Sequence, residues 1–474
     1  MKFLTFIATF IVSTFSLFSQ QWVDTTFQIT TVNNIEYGES VDFAGVKRVH
    51  FMDISFPTND SPPECGRPLI VVVHGGAWLA GSKDELTIKR LREDYAKRGY
   101  TSIAVNYRLG QFHTDKNIHC NVEGWDCFNI ADSSEWYRAY YRAIQDVNGS
   151  IRYMVNNSEE YNIDPNNIFL AGESAGAFTA IGVAFIDSNN DVLTQYTKEL
   201  PAIAAPNTLY EEPCIKELNI ASSIEEMKLE RPDLGSYEGE MNQPVVLPYK
   251  IRGVAGFYGG VMNNIFNSPE DESPALYIFH QPNDLIVPVG YGTVFEGYND
   301  CTRDVLNCQN IVNRKSVWGS RGIANIIDTM ESKGLQTPDY LLELTNNNAN
   351  CFEQLVNPSK GGHQYDNYWQ RSTKAAAFLA DYITECTVET GVNDDSPKYR
   401  MYIYPNPLVG NSLNIINGIG TITLTDSFGR VLLESENRKY NYTIDINQFN
   451  LSSGLYYIKL ITDKRAEYLK FIVQ

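Results

Sequence analysis

After its first 20 residues the 474-residue chain has no apolar run long enough to cross a bilayer, for which about 20 strongly apolar residues are needed. Paired CxxC motifs are missing as well, so the eight cysteines do not show the spacing of a structural zinc site. Basic residues are scarce: 38 Lys and Arg stand against 57 Asp and Glu, a formal net charge of −19. That balance repels phosphate backbones and anionic membrane surfaces, which argues against nucleic acid as a partner and suits the solubilising surface of a secreted protein. Disorder does not fit either, because 43% of the residues are hydrophobic and 20% charged, close to the globular average. Nothing in the sequence implies a metal or a cofactor.

The first 20 residues do hold an apolar run. It follows Lys2, extends from Phe3 to Phe18 with only Thr and Ser interrupting, and reads as a signal peptide over residues 1–20. The hydroxyl-bearing residues weaken the rival reading as a membrane anchor. The mature protein is therefore expected outside the cytoplasm and without a transmembrane segment. Cysteines 65, 120, 127, 214, 301, 308, 351 and 386 are an even set, which in an oxidising compartment forms disulfides by default. Cys120/Cys127 and Cys301/Cys308 are close enough to close short loops, although spacing does not settle the pairing.

Residues 21–388 alternate apolar β-type runs with amphipathic stretches, the rhythm of an α/β domain whose mostly parallel sheet is flanked by helices. Strands are expected at 68–73, 101–105, 167–170, 254–257 and 275–279, and helices at 83–98, 136–156 and 372–384, with a turn at 163–165. Residues 187–250 and 296–320 do not fit the repeat and read as insertions over the catalytic face, or as ordinary long loops. A polar linker, 389–399, leads to residues 400–474, whose short alternating strands at 421–425, 430–433, 442–446, 455–460 and 468–473 predict a small all-β sandwich.

Gly172-Glu173-Ser174-Ala175-Gly176 has the form G-x-S-x-G between an expected strand and helix, a turn that exposes the Ser174 hydroxyl. A serine hydroxyl is a weak nucleophile and needs a base that accepts a proton near neutral pH, usually histidine. Of the six histidines at 50, 74, 113, 119, 280 and 363, His363 lies between glycines and glutamine late in the domain, in a loop able to reach the serine. The chain order Ser, acid, His then selects Asp284, which follows the strand at 275–279; Asp300 and Asp366 are the fallback acids. His74-Gly75-Gly76-Ala77-Trp78 directly follows a buried strand, so the N–H groups of Gly75 or Gly76, with that of Ala175, are candidates to hold an oxyanion. Trp78, Glu173 and Tyr107 are candidate substrate-binding residues, and the two aromatics could equally pack in the core.

Together, HGGAW (74–78), NYRLG (106–110), IDPNNIFLAGESAGA (163–177), HQPNDLIVP (280–288) and GGH (361–363) resemble the α/β-hydrolase carboxylesterases over about residues 60–388. The resemblance implies Ser174 as nucleophile, Asp284 as orienting acid and His363 as general base. Ala77 departs from it, standing where glycine is common. In the tail, IYPNP (403–407), DSFGRVLL (426–433), LSSGLYYI (451–458) and KFIVQ (470–474) resemble the C-terminal sorting domain of type IX secretion substrates. That likeness implies the type IX machinery as a partner and export from a Bacteroidetes-type bacterium, ending in release or attachment at the cell surface. The expected activity is a serine carboxylesterase acting on short acyl or aryl esters, such as acetyl or feruloyl groups on plant polysaccharides. A polyester hydrolase or serine peptidase on the same fold is the alternative, ahead of a non-catalytic binding protein.

Overall fold

The computed structural model describes residues 21–58, 60–111, 133–187, 195–202, 230–266, 273–297, 301, 315–345, 349–357, 360–384, 401–408, 410–416, 418–439, 441–462 and 466–473. The expected signal peptide, the linker 389–399, most of the two insertions, His113, His119, Asp300 and Cys120, Cys127, Cys214, Cys308 and Cys386 lie outside them.

In chain order the strands of the larger region are β1 (Gln28–Val41), β2 (Lys47–Thr58), β3 (Arg67–Val73), β4 (Thr101–Val105), β5 (Ile163–Glu173), β6 (Ile251–Phe257), β7 (Gly260–Val261), β8 (Ala275–His280), β9 (Tyr291–Thr293), β10 (Ser316–Gly319) and β11 (Tyr340–Leu344). Eight of them form one sheet in the order β1-β2-β4-β3-β5-β6-β8-β11. Only β1 and β2 run antiparallel to their neighbours; the six that follow are parallel. Helices α1 (Leu86–Lys97), α2 (Ser133–Asn156), α3 (Ser158–Tyr161) and α4 (Ala175–Phe185) are joined later by helices Ser320–Ser332, Cys351–Val356 and Tyr368–Ala380.

Strand β3 shows why the sheet is buried on both sides. All seven of its residues are buried, and their alternation divides them between two cores. Leu69, Val71 and Val73 join Tyr140, Ile144 and Ile181 of α2 and α4, whereas Ile70 and Val72 join Ile88 and Leu91 of α1 and Phe378 and Leu379 of the last helix. A run of Leu, Ile and Val without polar interruption is what such a doubly covered parallel strand requires.

Where the structure departs from the sequence pattern, polar side chains decide. Helix α1 begins three residues later than expected, because the Lys83 N–H donates to Asn106 Oδ1 and its ammonium is buried 2.9 Å from Asp53. The expected turn at 163–165 belongs to β5, since Ile163 pairs with Arg67. The closing helix starts at Tyr368, where Asn367 caps it by accepting from the Gln370 N–H, and ends at Ala380. Residues 316–320 are not insertion: they form β10 and open the helix Ser320–Ser332. The described end of the other insertion lies along α2, whose Gln145, Asn148, Arg152 and Asn156 donate to the carbonyls of Leu234, Tyr237, Met241 and Asn242. That strap explains how a helix can bury Gln145 and Arg152.

The C-terminal region contributes β12 (Tyr402–Tyr404), β13 (Ser412–Ile416), β14 (Gly420–Asp426), β15 (Val431–Asn437), β16 (Asn441–Asp445), β17 (Gly454–Ile461) and β18 (Ala466–Val473). They make antiparallel sheets of order β12-β13-β16 and β15-β14-β17-β18. Leu413, Ile415 and Ile444 of one sheet meet Ile422, Leu424, Ile458 and Phe471 of the other in a single core, a small sandwich.

Replacing Ile70 by Ala should lower the unfolding free energy of the parallel-sheet domain by about 2–5 kcal/mol, because a fully buried side chain leaves a cavity between β3 and α1. A urea titration followed by tryptophan fluorescence reads this as a lower midpoint at unchanged slope, and an unchanged midpoint would contradict the packing.

Candidate active site

Ser174 sits between β5 and α4 with φ 53° and ψ −123°, a left-handed backbone that most side chains avoid. Surrounding contacts hold it there. Its N–H donates to Phe257 O on β6, and its carbonyl accepts from Ala177 and Phe178 in the first turn of α4. The two glycines of the motif allow the approach: a Cβ on Gly176 would lie 2.1 Å from Val73 O, and one on Gly172 2.3 Å from Gly176 O. The spacing G-x-S-x-G therefore lets α4 pack directly against the ends of β3 and β5 while the serine stands proud of both.

Two loops meet the serine. His363 Nε2 is 2.7 Å from Ser174 Oγ, and His363 Nδ1 is 2.8 Å from Asp284 Oδ2. Asp284 follows β8 and is buried; its other oxygen, Oδ1, accepts from the N–H groups of Ile286 and Val287 at 2.8 and 3.1 Å. Burial alone would raise the pKa of this carboxyl, but the charge of His363 and the hydrogen bonds from His280 and His363 outweigh it and hold the group well below the usual carboxylate range. Among the fallback acids, Asp366 is committed to Arg371 at 2.6 Å.

The loop carrying His363 is clamped by residues that the sequence pattern did not single out. A Cβ on Gly362 would lie 2.6 Å from the Asp284 nitrogen, so glycine lets the two loops lie flat on each other. Gln354 accepts from the Gly362 N–H at 3.0 Å and donates to Asn283 O at 2.9 Å, and Gln281 donates to Gln364 O at 2.6 Å. Gln354 belongs to the helix Cys351–Val356, which starts with a capping box between Asn350 and Glu353. Cys351 at its head is disulfide-bonded to Cys301, with Cα atoms 5.7 Å apart, so Cys301 does not close the short loop to Cys308. Tyr258, after β6, sets its ring edge to the imidazole of His363 at 4.9 Å.

The turn after β3 forms the other wall. Gly75 lies against the serine, a Cβ there falling 3.1 Å from Ser174 Cβ. Among the described residues, the N–H groups of Gly75, Gly76 and Ala175 have no protein acceptor. Ala77 and Trp78 follow with φ 54° and 59°, which explains why glycine suits position 77: alanine costs about 1–2 kcal/mol in this conformation.

The three candidate substrate contacts are placed differently from a pocket lining. Trp78 is buried among Trp136, Tyr140 and Phe178, and its indole N–H donates to Thr179 Oγ1 at 3.0 Å. Tyr107 is also buried; its hydroxyl donates to His74 O at 2.8 Å and its ring stacks on the His74 imidazole at 4.2 Å. Glu173 is buried beside Thr87, which donates to Oε2 at 3.0 Å. Burial first, and then the nearby charge of Glu85, raise the Glu173 pKa against the opposing hydroxyls of Tyr365, Thr87 and Tyr258. All three support the walls from within: the Trp78 indole N–H and the Tyr107 hydroxyl are engaged by protein partners, and Glu173 is buried with Thr87 donating to its Oε2.

The chain is similar in structure to a truncated carbohydrate esterase from gut microbiota, at 16% identity over 76% of this chain and 98% of that one, with a TM-score of 0.39. Esterase B of Lactobacillus rhamnosis, inhibited by a tributyrin phosphonate, matches at 12% identity over 74% and 85% of the two chains, TM-score 0.37. Butyrate-bound Est2, a thermophilic esterase of the planctomycete Thermogutta terrifontis, matches at 16% identity over 72% and 91%, TM-score 0.35. No curated protein matches. The BD-FAE family model matches residues 52–115 and 113–208, and the secretion system C-terminal sorting domain matches residues 402–474. The chain thus joins an esterase-type α/β-hydrolase domain to a sorting domain that implies type IX secretion to the cell surface or the extracellular space. The BD-FAE match contains Gly75, Gly76, Ser174 and Ala175 and ends before Asp284 and His363.

His74 gives a pH dependence. Its Nδ1–H donates to Gly75 O at 2.8 Å, its Nε2 is buried without a partner among the described residues, and burial lowers its pKa to about 4 from 6.5. As pH falls from 6.5 to about 4, the unfolded chain binds a proton that the folded one refuses. The stability that His74 confers as a neutral group is complete above pH 6.5 and is lost by up to about 3 kcal/mol at pH 4. In His74→Asn, which keeps a donor toward Gly75 O, the drop in urea midpoint between pH 7 and pH 5 should be smaller than in wild type; equal drops would contradict a buried neutral imidazole.

Proposed function

We propose that the protein is a secreted serine carboxylesterase that cleaves short acyl or aryl esters through an acyl-enzyme, with Ser174, His363 and Asp284 as its triad. The observation that carries this reading is the hydrogen-bonded line from Ser174 Oγ to His363 Nε2 at 2.7 Å and from His363 Nδ1 to Asp284 Oδ2 at 2.8 Å. An ionised Asp284 accepts the Nδ1–H, which leaves the Nε2 lone pair facing the hydroxyl. Attack of Oγ on the ester carbonyl passes the proton to Nε2, and the oxyanion that forms is held by the N–H groups of Gly75, Gly76 and Ala175. His363 then gives its proton to the departing alcohol. Water, activated by the same imidazole, later releases the acid and restores Ser174.

The substrates proposed are acetyl or feruloyl groups on plant polysaccharides: the BD-FAE match supports ester cleavage, and export puts the enzyme among polymers outside the cell. Residues 1–20 serve as the cleaved signal peptide for the first membrane in this reading, and the sorting domain for the second.

The test is the second-order rate constant of the full chain on acetyl, butyryl and octanoyl p-nitrophenyl esters and on methyl ferulate. Ser174→Ala should lower kcat by about 10⁶ and Asp284→Asn by about 10⁴ without loss of the folded state by circular dichroism. A preference for acetyl or feruloyl esters supports the polysaccharide reading; serine-dependent cleavage of peptides or polyesters alone would replace it, and ester cleavage that survives Ser174→Ala would end it.

A further inference from the structure

Asp284 serves two histidines, and only one of them belongs to the proposed triad. His280, the last residue of β8, is completely buried, and its Nε2 lies 3.0 Å from Asp284 Oδ2, the same oxygen that His363 approaches at 2.8 Å. Its own protonation can be read from groups that act in one sense only. Nε2 is also 3.1 Å from Val287 O, a carbonyl, which can only accept, so Nε2 carries a hydrogen. Nδ1 is 3.5 Å from the backbone N–H of Ser320, which can only donate, and 3.1 Å from Ser320 Oγ, so Nδ1 keeps its lone pair. Both sides assign the same neutral tautomer.

Resting on the esterase reading above, we infer that His280 is a positioning residue for the reaction: a neutral Nε2–H donor that fixes the Asp284 carboxylate and shares its Oδ2 with His363. The carboxylate then receives four N–H groups, two from the backbone at Oδ1 and two from imidazoles at Oδ2. Four donors leave it no freedom to rotate away from His363. Sharing also tempers it. Without the His280 donor, Oδ2 carries more negative charge toward His363 and stabilises the imidazolium that forms during attack. Among the described residues, the other titratable groups around this cluster are Tyr258, from the turn after β6, Tyr365 on the His363 loop, Glu173 at the end of β5 and Glu85 before α1, linked electrostatically through Tyr258. They remain in place in the variants below.

The experiment compares the full-length wild type with His280→Phe, which fills the space without a donor, His280→Gln, whose amide restores one, and Ser320→Ala, measuring kcat and KM on p-nitrophenyl acetate from pH 5 to 9. His280→Phe should lower kcat about 10- to 100-fold with KM within about two-fold, and move the acidic limb of kcat/KM to higher pH. His280→Gln should recover kcat to within about five-fold of wild type with the limb near its original position. A Phe variant with wild-type kcat and an unmoved limb, changed only in melting temperature, would reduce His280 to a core residue. Side-chain nitrogen NMR of the labelled wild type, the His280 signal identified by its loss in His280→Gln, keeps the inference testable if the Phe variant does not fold: a neutral Nε2–H form throughout the pH range supports it, and a Nδ1–H form or a titrating imidazole overturns it. Wild type that neither cleaves the ester nor reacts with a fluorophosphonate at Ser174 would sink the esterase reading, and the tautomer measurement would still decide where the His280 proton resides.

Discussion

A negative charge held out of water is the constraint around which the site is built. Moving a carboxylate into a protein interior costs several kcal/mol, and that cost is offset only when its lone pairs are met by well-placed donors. Asp284 is met by four, which place three separate demands on the chain. The N–H groups of Ile286 and Val287 require the tight turn after Asp284. His280 requires strand β8 to end on a histidine four residues before the acid, and His363 requires a second loop laid on the first. Removing the charge would thus loosen the turn, the strand end and the second loop together.

Close backbone approach is the means by which these parts are brought within reach. At Gly176 and Gly362 a single methyl group would collide with Val73 O or with the Asn283–Asp284 peptide. The first contact holds the serine turn against the sheet, and the second holds the histidine loop against the acid. Between them, the distance from Ser174 to His363 is set by packing that tolerates no extra carbon atom. The strained φ of Ser174 persists for the same reason, since the hydrogen bonds at both of its peptide groups bind it to β6 and α4.

Local features of this architecture were legible in the sequence. The run Leu69–Val73 announces a strand covered on both faces, and the glycines around Ser174 announce the sharp turn, because each is a property of consecutive residues. His280, Gln281 and Gln354 were not legible as supports, since nothing near them in the chain says that they face Asp284 or the His363 loop. HQPND at 280–284 did contain a signal: a histidine four residues before the acid, at the end of an apolar strand, has to satisfy both ring nitrogens inside the protein. Trp78 and Tyr107 mark the limit of residue type as a guide, for aromatic character fits a ligand wall and a core equally, and only their satisfied N–H and O–H groups separate the two. The hairpin of β1 and β2 was missed because its partly exposed, polar-rich alternation lacks the continuous apolar run of the central strands.

The disulfide ties the site to the address carried by the tail. Cys301 and Cys351 are 50 residues apart, a separation for which the loop-entropy account assigns about 4 kcal/mol of stabilisation. Its local effect is narrower: it anchors the head of the short helix whose Gln354 holds Gly362, next to His363. Such a bond forms where thiols oxidise, and thiol-rich cytoplasm keeps it open. Among the described residues, the sorting domain supplies no side chain to the Ser174–His363–Asp284 line, yet by implying export it implies the redox conditions under which the helix behind the histidine loop is pinned. Compartment and geometry are in this way coupled through one covalent bond, and the rigidity of the His363 loop is a property of the exported protein.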